Sequence, residues 1–214
     1  MTEQEARDWL VNTAHVSRET LERLALYVQL VIEGMATQNL IAESTRPHIW
    51  ARHIVDSAQL PLLVENVKPG PWVDLGSGAG MPGIVVACMT QRPVLLIESR
   101  RKRIDFLKMV IDRLNLTNAS VFGGRVEACQ ARDAAVISAR AYAPLDRTFA
   151  TAHHMSSRNT LWLLPKGRSA ENELAAAKPT WQGAFHVEHS VTDADSAIVV
   201  ATNVRPAGKG NSVA

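Results

Sequence analysis

The chain has 214 residues, 46% of them hydrophobic, with two cysteines and a net charge of +2. That length suits one α/β domain with an appendage, and the composition supplies a core. No apolar run approaches the roughly 18–20 residues of a membrane span. Cys88 and Cys129 have neither metal-ligand nor disulfide-framework spacing, and the acidic start MTEQEARDWL is no signal peptide, so a reduced cytoplasmic protein is expected.

Residues 2–38 read as mostly helical: Leu21, Leu24, Val28, Val31 and Ile32 recur at roughly helical spacing, and Ser17 opens a second helix. ESTRP (Glu43–Pro47) is a break, and Pro47 suits the first turn of a helix running to about Leu63. VKPGP (Val67–Pro71) is a turn that divides a helical extension, residues 1–69, from a domain over 70–204. Past it, short apolar runs alternate with helical stretches. Strands are predicted at WVDL, PVLLIE, ASVFG, DAAVISA and TLWLLP, and helices at GIVVACM and RIDFLKMVIDRLNL. AFHVEHS and SAIVVATN close the pattern as an antiparallel hairpin, and 205–214 reads as a flexible tail. This order implies a mostly parallel sheet with right-handed crossovers.

The first strand runs straight into a glycine loop, VDLGSGAGMPG (Val73–Gly83). Gly78–Gly83 has the G-x-G-x-x-G spacing of a dinucleotide loop. Two features oppose a pyrophosphate there. Pro82 removes a backbone donor from the next helix's first turn, and Asp74 adds negative charge. S-adenosylmethionine carries a sulfonium and an ammonium, which a carboxylate attracts. Gly76, Gly78 and Gly80 permit close backbone approach, and Glu98 ends the second strand where a carboxylate accepts from a ribose. The pattern D-x-G-x-G-x-G with a second acid therefore points to a methyl donor.

Charge points to the other substrate. Residues 1–70 hold six Lys/Arg against nine Asp/Glu, and residues 71–214 hold seventeen against twelve. A basic second part, with RRKR at Arg100–Arg103, suggests a nucleic-acid partner. Arg101 and Arg103 either bind phosphates or cover their helix. Arg125, Arg140 and Lys166 follow strands three, four and five, on one edge of the sheet, and are the candidates for holding RNA. An arginine fork matches phosphate oxygens. His53 and Asp56 share a helix face, either lining the RNA side or fixing the helices to the domain. Tyr142 is a stacking platform or a pocket wall.

From about Gln38 to Thr202 the chain resembles the bacterial RsmG (glucose-inhibited division B) family of small-subunit ribosomal RNA guanine-N7 methyltransferases. The resemblance rests on RHIVDS, VDLGSGAGMPGI, LLIESRRKRIDFL, GRVE, SARA and LPKG in that order. It implies a seven-strand Rossmann-like class I methyltransferase sheet, α/β, behind N-terminal helices. It further implies that Gly76 and Met81 lie against the donor, that Glu98 holds its ribose, and that Val126 and Glu127 flank its adenine. Arg140 would lie near both donor and acceptor. The partner implied is small-subunit ribosomal RNA or the small subunit itself, and nothing in the sequence requires more than a monomer. EGMATQNLIA keeps Asn39-Leu40 but lacks the family's tryptophan, lysine and threonine in that segment. The rival readings are a small-molecule methyltransferase and a non-enzymatic RNA-binding factor that retains the fold.

Overall fold

The protein is seen in a computed structural model that describes residues 1–64 and 67–208. Helix α1 (Glu3–Asn12) begins with a capping box, in which the Thr2 hydroxyl takes the Glu5 amide and the Glu5 carboxylate takes that of Thr2. Helix α2 (Arg18–Gly34) starts at Ser17, as the sequence predicts, and buries Leu24, Tyr27, Val28, Leu30 and Val31 on one face. The predicted single helix after the break is instead three pieces. A 3-10 segment (Glu43–His48) contains Pro47, a π-helical turn follows (Trp50–Val55), and α3 (Asp56–Leu62) runs through Pro61. Glu3 steadies the wide turn by accepting the Trp50 and Ala51 amides at 3.0 and 3.1 Å.

The strands are β1 (Trp72–Leu75), β2 (Val94–Glu98), β3 (Ala119–Gly123), β4 (Val136–Ser138), β5 (Leu161–Lys166), β6 (Trp181–His189) and β7 (Ala197–Pro206). They form one sheet in the order β3-β2-β1-β4-β5-β7-β6, and β7 runs antiparallel to both its neighbours. Helices α4 (Gly83–Met89) and α5 (Arg101–Arg113) make two of the crossovers. Helices α6 (Leu145–Ala152) and α7 (Ala170–Ala177) were not anticipated. Each has eight residues, and α6 buries Leu145, Thr148, Phe149 and Ala152 at helical spacing.

Side chains alternate along the strands, so the two faces bury different sets. Trp72, Leu96, Val136, Leu163 and Val200 meet α1 to α5 in one cluster. Val73, Ile97, Ile137, Trp162, Leu164 and Val199 meet α6 and α7 in another. The N-terminal helices thus share a continuous core with one face of the sheet. The tail expectation is corrected at its start, because Arg205 and Pro206 belong to β7 and pair with Gln182 and Trp181. Ala207 donates its amide to Thr180 O at 2.8 Å, and residues 209–214 of the expected tail lie outside the described residues.

Candidate active site

Parallel strands deliver their carboxyl ends to one edge, and two concavities lie there. The first is a cleft of about 320 Å³ lined by Gly76, Glu98, Arg125, Val126, Glu127 and Tyr142, among others. Gly76, Gly78 and Gly80 have φ of +61°, +59° and +99°, a region L side chains avoid. At Gly76 a Cβ would also stand 2.6 Å from the Tyr142 ring. Glu98 accepts the Gly78, Ser99 and Arg100 amides at 3.0, 2.7 and 2.8 Å. A carboxylate offers about four acceptor positions, so one is left for a ribose hydroxyl. The 3-10 turn Val126–Ala128 brings Val126 and Glu127 to the same cleft.

Asp74 lies beneath the loop. It is fully buried, accepts the Ser138 hydroxyl at 2.7 Å and the Gly83 amide at 3.3 Å, and Ser138 in turn accepts Trp72 Nε1–H at 2.8 Å. Burial pushes its carboxyl up to about 6, against the pull of these hydrogen bonds and of the Arg140 charge. Asp74 ties β1 to β4 and to the start of α4. Met81 is buried in the cluster that holds Leu24 and Tyr27, on the helix side of the loop. Tyr27, unremarked in the sequence, is fully buried and donates to Ala79 O at 2.8 Å, bracing the loop from α2.

The second concavity, of about 640 Å³, is lined by His53, Asp56, Arg140, Tyr142, Lys166 and Glu173, among others. Tyr142 is common to both, and its hydroxyl donates to Thr151 Oγ1 at 3.2 Å. Arg140 donates to Asp56 Oδ2 at 3.3 Å, to Arg52 O at 3.3 Å and to His53 Nδ1 at 3.0 Å. Arginine only donates, so His53 Nδ1 is unprotonated and Nε2–H faces Thr45 Oγ1 at 2.7 Å. Burial, then the Arg140 and Arg52 charges, hold His53 down at about 3, so it is neutral. Asp56 also receives Gln59, Ser190 and Thr192. Lys166 donates to Ala143 O at 2.6 Å and pairs with Glu173 at 2.8 Å.

The expected trio of cations divides between the two concavities. Arg140 and Lys166 share the second, whereas Arg125 lines the first. Sheet order is the reason: β3, which precedes Arg125, is separated from β4 by β2 and β1. Arg103 donates to Asn39 O at 3.2 Å and stands 3.9 Å from Glu98, so it joins the N-terminal segment to the donor side. Glu173 was missed altogether, for it sits in a short alanine-rich helix that carries no motif.

Residues 20–198 match the family described as rRNA small subunit methyltransferase G. The chain belongs to this family. The protein named Ribosomal RNA small subunit methyltransferase G from Rhizorhabdus wittichii is 51% identical over 212 residues, which cover 98% of this chain and 97% of that one. Its namesake from Sphingopyxis alaskensis is 48% identical, covering 98% and 91%. Among solved structures, the O-methyltransferase from Bacillus cereus in complex with SAH aligns with a TM-score of 0.60 at 16% identity, covering 91% of this chain and 96% of that one. A SAM-dependent methyltransferase from Aquifex aeolicus aligns with a TM-score of 0.57 at 12% identity, covering 73% and 92%. The fold is that of the class I methyltransferases.

Proposed function

We infer that the protein transfers a methyl group from S-adenosylmethionine to N7 of one guanine in small-subunit ribosomal RNA. The observation that carries this reading is the junction at Tyr142, one wall common to a ribose-accepting cleft and a cavity holding Arg140. The cleft suits the donor: Glu98 keeps one acceptor position, and Gly76, where a Cβ would strike the Tyr142 ring, lets that ring close against the loop. When bound, the donor supplies an electrophilic methyl group on its sulfonium.

Guanine N7 carries a free lone pair in the ring plane, so attack requires no prior deprotonation. What remains for the protein is to hold N7 in line and to keep water out. Arg140, fixed by Asp56 and His53, offers remaining N–H groups to O6 and leaves N7 unobstructed. The base leaves any stack to reach this cavity. Asp56 and His53 are thus positioning residues. The site is complete within one chain, which supports action as a monomer, in the cytoplasm where ribosomal RNA is made.

The test is methyl transfer from labelled donor to small subunits lacking the modification, followed by borohydride–aniline cleavage. One cleavage at one guanine is expected. Label without cleavage would move the target atom. No label, with donor binding intact, would bring forward the small-molecule reading. Arg140→Ala is expected to lower kcat/KM about a hundredfold.

A further inference from the structure

We propose that Lys166 and Glu173 read the Watson–Crick edge of the target base and so fix its identity as guanine. This rests on the guanine-N7 reading above and deepens it. A base methylated at N7 must keep that atom free, so recognition has to come from O6 and the edge beyond it. Guanine presents there an acceptor, O6, beside a donor, N1–H. Adenine presents the reverse, an amino donor beside a ring-nitrogen acceptor. A site that selects guanine therefore needs one donor beside one acceptor.

The acceptor-side cavity holds one such pair. Lys166 Nζ has three N–H groups and uses two, toward Ala143 O and Glu173 Oε2. Glu173 receives three donors: Lys166 and the Leu145 amide on Oε2, at 2.8 and 3.1 Å, and the Ser169 hydroxyl on Oε1, at 2.9 Å. One acceptor position remains on Oε1. The other carboxylate of this cavity, Asp56, already receives four donors, three of them on Oδ1, and its Oδ2 is held by Arg140. Lys166 and Glu173 are 10% and 23% exposed, dry enough for a hydrogen bond to discriminate and open enough to be reached. Although burial opposes it, the hydrogen bonds from Lys166 and Ser169 and the Lys166 charge hold Glu173 below the usual carboxylate range, so it remains an acceptor. Both side chains are anchored by backbone groups, Lys166 on Ala143 O and Glu173 under the Leu145 amide. The pair is therefore set before the base arrives.

The test uses small-subunit RNA in which the mapped guanosine is replaced by inosine, adenosine or 2,6-diaminopurine riboside. Inosine keeps O6 and N1–H, whereas 2,6-diaminopurine keeps only the 2-amino group. The wild-type protein is expected to methylate guanosine and inosine within a few-fold and to reject the other two. Glu173→Gln is expected to lower kcat/KM on guanosine roughly ten- to a hundredfold, mostly through KM. The preference for guanosine over adenosine shrinks by the same factor, and S-adenosylhomocysteine affinity is unchanged. Equal methylation of guanosine and 2,6-diaminopurine by the wild type would overturn this inference alone, with no variant involved. So would a Glu173→Gln protein that retains full discrimination. A wild type that methylates no guanine would overturn the proposed function as well.

Discussion

The donor cleft and the acceptor cavity stand side by side but are held by different means. The cleft is made largely from backbone groups close in sequence: Glu98 collects the amides of Gly78, Ser99 and Arg100. The cavity is made from side chains brought together by the fold. Arg140 meets Asp56 across 84 residues, and Thr192 meets Asp56 across 136. A backbone-built site is rigid once its loop closes. A side-chain-built site depends on every element that delivers a partner. Damage to one should therefore leave the other intact, and that independence can be attacked directly.

The largest effect is expected at Glu98. Glu98→Ala leaves three amides without their carboxylate and removes the ribose acceptor. A hydrogen bond to a charged group contributes about 1.5–3 kcal/mol, and the loop recovers part of the loss to water, so a destabilisation of about 2–4 kcal/mol is expected. Donor affinity should fall more than about a hundredfold, since the lost acceptor and the loosened loop act together. Urea unfolding and calorimetry with S-adenosylhomocysteine measure the two. RNA affinity should hold, because the acceptor cavity has no part in this network.

The same contrast explains what the sequence revealed. The glycine loop, the acid closing β2 and the βα alternation are local patterns, and each appears where its spacing placed it. The acceptor cavity was half legible. Arg140 and Lys166 stood out as cations at strand ends, and His53 and Asp56 as a pair either on the RNA side or fixing the helices, but nothing in the sequence showed that Arg140 would bind that pair or that Arg125 would face the donor. Those facts follow from strand order and from the irregular Glu43–Leu62 segment, which has no periodic signature. For Asp74 the place in the motif was clear, yet its direction, inward to Ser138, depends on the face of β1 that carries it.

A smaller effect separates the regions by pH. Asp74, raised to about 6 from an ordinary 3.8, contributes stability that is full below pH 3.8 and lost as pH rises through 6. His53, lowered to about 3 from 6.5, contributes stability that is full above pH 6.5 and lost as pH falls toward 3. Between pH 4 and 6 the two slopes oppose, each about 1.4 kcal/mol per unit at most. His53→Gln can still accept from Arg140 and donate to Thr45, but it does not titrate. Its destabilisation relative to wild type is expected to be largest near neutrality and to shrink as pH falls from 6 to 4. Unfolding midpoints in urea across that range provide the check. A constant difference would mean that His53 is already charged in the folded protein.

The smallest effect is expected on the basic run between donor cleft and N-terminal segment. Among the described residues Arg101 pairs only with Asp105, one turn along, and their side chains are 87% and 54% exposed. Such a pair contributes less than about 0.5 kcal/mol, so Arg101→Ala should leave the melting temperature almost unchanged. Arg103 differs, being bound to Asn39 O and close to Glu98. If Arg101 meets a phosphate, its loss lowers the salt slope of RNA binding by about one, equally for all sequences. If the slope does not move, Arg101 only covers its helix, and the RNA is held nearer the Arg140 cavity than the RRKR run suggests.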